Sequence, residues 1–286
     1  MELAVRPLSF ALGAEVMGVD LTQALSDETI RDLRALWLQH SVLLFRGPVL
    51  TPRQQIAFSR RFGTLDRHEA LIHYRHQEFP EIFVVSNRVV DGKPSETRDT
   101  GREWHTDLSY TLHPPMGSLL HCIEIPEVGG TTLWASMYEA FDALSPALQR
   151  VLETLEGVHD ISVARGFSRH APDIVADMRK RNPAVVQPLV RVHEECSRKA
   201  LYITEWMRGI YGMTEDESRP ILKMLLEHAT RPEFFYRHVW QPGDLVMWDN
   251  RCTMHLAPYD YRHASTRHMH RTTLLGSASG RLYQGG

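Results

Sequence analysis

EFFYRHVWQPGDLVMWDN, residues 233–250, decides the fold. Both halves have the aromatic and aliphatic composition of short strands, and QPGD between them reads as a turn, since Pro lacks a backbone donor and Gly tolerates backbone angles other residues avoid. Upstream, TEDESRPILKMLLEHAT (214–230) reads as a helix opened by a capping box from Thr214 to Glu217. Downstream, RTTLLG (271–276) reads as another strand.

The same reading extends towards the N-terminus. PLVRVHEE (188–195), KALYITE (199–205), MGSLLHCIEI (116–125), TTLWAS (131–136), EIFVVSN (81–87) and SVLLFRG (41–47) read as strands, with IPEVGG (125–130) as a turn. Helices are predicted where caps precede an apolar period. Ser26 caps a helix with Ile30, Leu33 and Trp37 on one face, and Thr51 caps TPRQQIAFSRRFG with Pro52 at its first position. Ser136 to Glu139 reads as a capping box, and Ser145 with Pro146 opens a helix ending at Gly157. The polar stretch Arg88–Arg102 is a long loop leading to WHTD. Strands so dispersed, with no βαβ alternation, predict a mainly β jelly roll with flanking helices rather than a doubly wound parallel sheet. One domain over 1–286 is expected, with a lid or insertion around 158–192 where the signals are mixed.

Composition narrows the function. A hydrophobic content of 43% with 23% charged residues supports a sizeable core, and a formal net charge of -3 gives no electrostatic reason to expect nucleic acid or an anionic membrane as partner. Cys122, Cys196 and Cys252 form no CxxC pair, which points to a reducing compartment. No secretion signal or membrane span is read, so a cytoplasmic location is expected.

The chemistry centres on WHTDLSY, residues 104–110. With 16 His in the chain, roughly one His-x-Asp arises by chance, so His105 and Asp107 alone prove nothing. If the stretch is extended, period two puts both on one face. WDNRCTMH supplies His255 as a third ligand, and two imidazoles with one carboxylate suit non-haem Fe(II), leaving three positions open. In STRHMHRTTLLG, Arg267 and Arg271 are four apart and share a face of a strand, and two arginines beside a metal imply two acidic ligands. A zinc hydrolase on the same three residues and a non-catalytic jelly-roll binding protein remain open at this point. His263, His268 and His270 read as solvated or supporting groups, and Trp104, Trp134 and Trp248 as barrel packing.

HTD, GGTTLW, WDNRCTMH and STRHMHR in this order resemble the Fe(II)/2-oxoglutarate-dependent dioxygenases of the taurine dioxygenase and 2,4-dichlorophenoxyacetate dioxygenase family. GAEVMGVDL, QQIAFSRRFG and LLEHATRPEFFYRHVWQPGDLVMWDNRC extend the likeness over nearly the whole chain. The resemblance implies a double-stranded β-helix, with Fe(II) on His105, Asp107 and His255. It implies that Arg267 and Thr132 hold 2-oxoglutarate, and that Arg271 and His68 line the site of a small anionic organic substrate. It further implies O2 as co-substrate, succinate and CO2 as products, hydroxylation of a C–H bond in a sulfonate, alkyl sulfate or carboxylate such as a phenoxyalkanoate, and release of a leaving group where the carbon bears a heteroatom. A homo-oligomer, dimer or tetramer, is expected. The chain departs from the taurine enzymes at Glu69, at Leu71 and in GREWHTD, which carries no asparagine before the His-x-Asp.

Overall fold

The computed structural model describes residues 3–68, 74–90, 93–94, 101–164, 172–261 and 265–284. Seven strands form the larger sheet, in the spatial order Ala4–Pro7, Ala14–Met17, Val42–Phe45, Leu245–Asp249, Gly117–Glu124, His268–Leu274 and Phe83–Ser86. All its neighbours are antiparallel except Ala14–Met17 with Val42–Phe45. Phe235–His238, Thr132–Ser136 and Thr253–Leu256 form a three-stranded sheet against it. Strands adjacent in space come from distant parts of the chain, which is the jelly-roll topology.

The two halves of EFFYRHVWQPGDLVMWDN therefore lie in different sheets. QPGD carries the chain from one to the other. Gly243, at φ +92°, makes the crossing possible, because a Cβ there would stand 2.0 Å from the Gly47 carbonyl oxygen.

Alternation along each strand divides the apolar residues between two layers. Val42, Leu44, Leu120, Cys122, Val246, Trp248 and Met269 face inward onto Trp134 and Trp240. Leu43, Phe45, Leu119 and Met247 face outward onto Ile30, Leu33, Trp37, Ile56 and Phe58 of the two N-terminal helices, Asp27–His40 and Pro52–Ser59. The outer face of the smaller sheet is closed by Met137, Tyr138 and Phe141 and by Leu225 of the helix Glu215–Ala229. No helix among the described residues is long and apolar enough to cross a membrane.

The predicted caps form at Ser26, Thr51, Ser145 and Thr214, with full capping boxes at Thr51/Gln54 and Thr214/Glu217. Ser136 makes only its half: its side chain accepts the Glu139 N–H, while the Glu139 carboxylate pairs with Arg198. The helix opened by Ser145 stops at Leu152, and Gly157 belongs to the strand Glu156–His159. That strand pairs with Val185–Pro188 and Met207–Ile210, and a Cβ at Gly157 would lie 2.1 Å from Met207 Cε. Glycine here permits close packing instead of ending a helix. Part of the expected lid, 165–171, lies outside the described residues; the segment's flanks are pinned as paired strands.

Among the histidines expected to be solvated or supporting groups, His270 falls on the supporting side. His263 lies outside the described residues, but His270 is buried opposite His121 on the next strand, with the His76 ring 5.6 Å away and the His268 ring 5.1 Å away. Burial, with neighbouring imidazoles and Arg88, brings His270 down to about 3; burial alone brings His159 to about 3 and, with Asp244 opposing, His121 to about 4. Such groups bind protons more readily unfolded than folded. Their contribution to stability is complete above the ordinary value of 6.5 and is lost as pH falls towards 3–4, at about 1.4 kcal/mol per pH unit for each histidine. Melting temperature is therefore expected to fall between pH 7 and pH 5, with a shallower slope in His270→Asn. A flat profile over that range in the unsubstituted protein would refute this.

Candidate active site

WHTDLSY is not an extended strand. Only His105 pairs, in an isolated bridge in which its N–H donates to the His255 carbonyl at 3.0 Å and its carbonyl accepts from the His255 N–H at 2.7 Å. From Asp107 the chain turns, with Leu108 at φ +46°. Period two thus does not align the two residues; the bridge to the strand Thr253–Leu256 fixes His105 beside His255, and the turn swings Asp107 in below them.

The outcome is the predicted trio. One ligand atom from each of His105, Asp107 and His255 lies within 4.8 Å of the others, and all three residues are buried. The imidazole rings of His105 and His255 are 4.0 Å apart, and His255 Nε2 is 4.0 Å from Asp107 Oδ1. His105 Nδ1 is 2.7 Å from the Glu103 carbonyl oxygen, which can only accept, so Nδ1 carries the proton and Nε2 offers its lone pair. Burial holds both imidazoles neutral, with Asp107 opposing at His105 and His105 reinforcing the effect at His255. Burial resists ionisation of Asp107, but Arg271, aided by His255, His105 and Ser118, holds its carboxyl well below the usual carboxylate range. Two neutral imidazoles and an ionised carboxylate are the donor set that a divalent iron needs.

Asp107 is gripped on both oxygens. Ser118 Oγ donates to Oδ2 at 2.6 Å, and Arg271 Nη1 donates to Oδ1 at 2.6 Å. The Arg271 guanidinium also lies over the Phe83 ring at 4.7 Å, and His68 meets the same ring edge-on at 5.4 Å. His68 is buried at φ +51°, and burial followed by the charge of Arg271 lowers it to about 4. Both predicted substrate residues therefore stand at the Asp107 side of the trio. Glu69 and Leu71 lie outside the described residues.

The second arginine has a different setting. Arg267, 6% exposed, donates from Nε to the Gly130 carbonyl at 3.1 Å and from Nη2 to Thr132 Oγ1 at 3.2 Å. Among the described residues no carboxylate lies within 4.0 Å of it. Gly129 and Gly130, at φ +84° and +68°, turn that carbonyl towards the arginine. Trp240 Nε1 donates to Thr132 Oγ1 at 3.0 Å, so both neighbours of this hydroxyl are donors and its own proton remains available for an acceptor. Thr132 and Trp134 share a strand face, and Trp134 stands opposite His255, which ties this anion-seeking corner to the trio.

Several residues around the site were not singled out by sequence. Trp206 lies against the His105 ring at 4.5 Å and donates to a Glu103 carboxylate oxygen at 3.3 Å. Ser118, Asn250 and Trp240 are buried polar contacts whose partners are remote in the chain. A serine in the apolar strand MGSLLHC and the asparagine in WDNRC were the available signals.

The model for the family "Taurine catabolism dioxygenase TauD, TfdA family" matches residues 4–273. The alpha-ketoglutarate-dependent 2,4-dichlorophenoxyacetate dioxygenase of Cupriavidus pinatubonensis is 37% identical over 289 residues, covering 97% of this chain and 99% of that protein. The (S)-phenoxypropionate/alpha-ketoglutarate-dioxygenase of Sphingobium herbicidovorans is 35% identical, covering 90% of each. Among solved structures, AAD-2 in complex with Mn(II) and N-oxalylglycine superposes with a TM-score of 0.85 at 32% identity, covering 99% of this chain and 100% of that one. The chain belongs to the taurine catabolism dioxygenase TauD, TfdA family, and is an Fe(II)- and 2-oxoglutarate-dependent dioxygenase.

Proposed function

We propose that the chain hydroxylates a C–H bond of a small organic anion, with His105, Asp107 and His255 as iron ligands, Arg267 and Thr132 holding the far carboxylate of 2-oxoglutarate, and Arg271 with His68 receiving the substrate. The observation that carries this reading is the pair of arginines: one buried without a carboxylate partner among the described residues, the other on Asp107 itself. A guanidinium fork out of water calls for an anion. Bound iron supplies O2 activation and the oxidation of the C–H bond. Arg267 and the Thr132 hydroxyl fix the oxoacid at one end, and Arg271 fixes the substrate at the other, so that the reacting carbon is held in place.

The phenoxyalkanoate relatives favour an aryloxy carboxylate, and the Phe83 ring beside Arg271 offers an apolar wall for it. Three free thiols favour the cytoplasm. The test is succinate formation with Fe(II), 2-oxoglutarate and O2 across phenoxyacetates, alkyl sulfonates and alkyl sulfates, beside neutral analogues of the same shape. Stimulation by an anion and not by its neutral analogue is expected. Turnover of neutral compounds alone would remove Arg271 from the proposal.

Arg271→Gln should raise KM for the anionic substrate roughly thirtyfold or more, as removal of one side of a buried charge pair costs about 2–5 kcal/mol. Binding of 2-oxoglutarate should change much less. Equal losses for both ligands in a titration of the variant would refute that division of labour.

A further inference from the structure

The two oxygens of Asp107 are not equivalent, and a chain of buried hydrogen bonds decides which is which. Trp248 Nε1, which can only donate, bonds Asn250 Oδ1 at 2.9 Å. The Asp107 backbone N–H approaches the same oxygen at 3.4 Å. With its oxygen so occupied, the Asn250 amide must present Nδ2 to Ser118 Oγ, 3.1 Å away. That hydroxyl accepts from the amide, and its single proton goes to Asp107 Oδ2 at 2.6 Å. None of Trp248, Asn250 and Ser118 titrates, and they are 1%, 2% and 0% exposed, so the direction of the chain is fixed. Register reinforces it: Ser118 stands directly opposite Trp248 in the larger sheet, and Thr106 Oγ1 bonds the Asn250 carbonyl at 2.7 Å.

We propose that Trp248, Asn250 and Ser118 are positioning residues that occupy Asp107 Oδ2 and so confine the carboxylate to one-oxygen ligation through Oδ1, the oxygen facing His255. This rests on the reading of Asp107 as an iron ligand. The consequence follows from counting. With iron bound, three protein donors would leave three positions of six, two for the oxoacid and one for O2. A carboxylate gripping with both oxygens would leave two, which the oxoacid fills. The indole, amide and hydroxyl thus act on whether the last position stays available, and not on whether iron or 2-oxoglutarate binds.

The test uses nitric oxide as an O2 surrogate. Anaerobic Fe(II)-loaded protein is titrated with nitric oxide and followed by electron paramagnetic resonance, with and without 2-oxoglutarate. In Ser118→Ala, nitric oxide affinity in the presence of 2-oxoglutarate should fall by roughly tenfold to a hundredfold, the usual effect of losing a ligand's hydrogen-bond partner. Without 2-oxoglutarate it should match the unsubstituted protein, because positions are then in excess. Trp248→Phe keeps an aromatic side chain while removing the N–H together with the five-membered ring, allowing the amide to invert; it should show the same selective loss at smaller size, and it carries the test should Ser118→Ala fold poorly. Unchanged affinity in both variants, or equal losses with and without 2-oxoglutarate, would overturn the role given to the three residues. Failure of the unsubstituted protein to take up Fe(II) would instead overturn the iron site itself, and this inference with it.

Discussion

Arg267→Met is expected to weaken 2-oxoglutarate binding by about 2–5 kcal/mol, a factor of roughly 30 to 4,000, without destabilising the ligand-free protein. The two halves of this expectation have one cause. Arg267 is buried, and its partners are a carbonyl and a hydroxyl, neutral groups that soften the desolvation of the guanidinium but do not balance its charge. Burial accordingly pulls its pKa down, against the weaker influence of Tyr261, Cys122 and Asp260. A dicarboxylate repays that cost only when bound. Methionine keeps much of the length and drops the charge, so the melting temperature of the ligand-free variant should hold or rise while affinity collapses. Arg267→Lys keeps the charge but not the fork, and should recover only part of the affinity. Calorimetry of 2-oxoglutarate into Mn(II)-loaded protein measures the first effect and thermal melting the second. Affinity within about threefold of the unsubstituted protein, on a scale where 1.4 kcal/mol is tenfold, would exclude Arg267 from the cosubstrate site.

What local chemistry encodes was readable in the chain. Ser26, Thr51, Ser145 and Thr214 cap helices because an N-cap needs only its own hydroxyl and an N–H three residues on. The buried strands Val42–Phe45, Gly117–Glu124 and Leu245–Asp249 could be found from apolar runs bounded by turns. Where the partner lies far away in the chain, local pattern does not reveal the role of a residue. Glu139 leaves its capping box for Arg198, 59 residues on, and Gly157 serves Met207 rather than a helix end. The two halves of EFFYRHVWQPGDLVMWDN were recognised as strands, yet nothing within them says that they part into opposite sheets; Gly47, which Gly243 approaches, does.

The active site divides along the same line. His105, Asp107 and His255 were identifiable by residue type, but the reason they converge was not: a backbone bridge across 150 residues and a left-handed Leu108 replace the expected strand. Ser118 and Asn250 could not be assigned roles, since a serine in an apolar strand gains its meaning only from the carboxylate that folding sets 2.6 Å away.

Asp107→Ala is expected to have the widest consequences, and one of them is a gain. Succinate formation should fall by at least about a thousandfold, because the substitution removes both the proposed iron ligand and the counter-charge of Arg271, each on the scale of 2–5 kcal/mol. Metal affinity should fall with it. Yet Arg271 Nη1 lies 2.6 Å from Asp107 Oδ1, the same oxygen that faces His255. An anionic substrate arriving at Arg271 must displace that carboxylate. Iron at Oδ1 would compete with Arg271 in the same way, leaving the arginine in want of an anion. Metal and anionic substrate should then assist each other's binding in the unsubstituted protein, and by reciprocity to the same degree. Removing Asp107 releases Arg271 at once, so metal-free Asp107→Ala should bind an anion such as a phenoxyacetate at least about tenfold more tightly than the metal-free unsubstituted protein, a gain of about 1.4 kcal/mol. Equilibrium binding without metal measures this directly. Weaker or equal anion binding in the variant would mean that Arg271 and Asp107 do not compete, and the anion would then have to be held elsewhere.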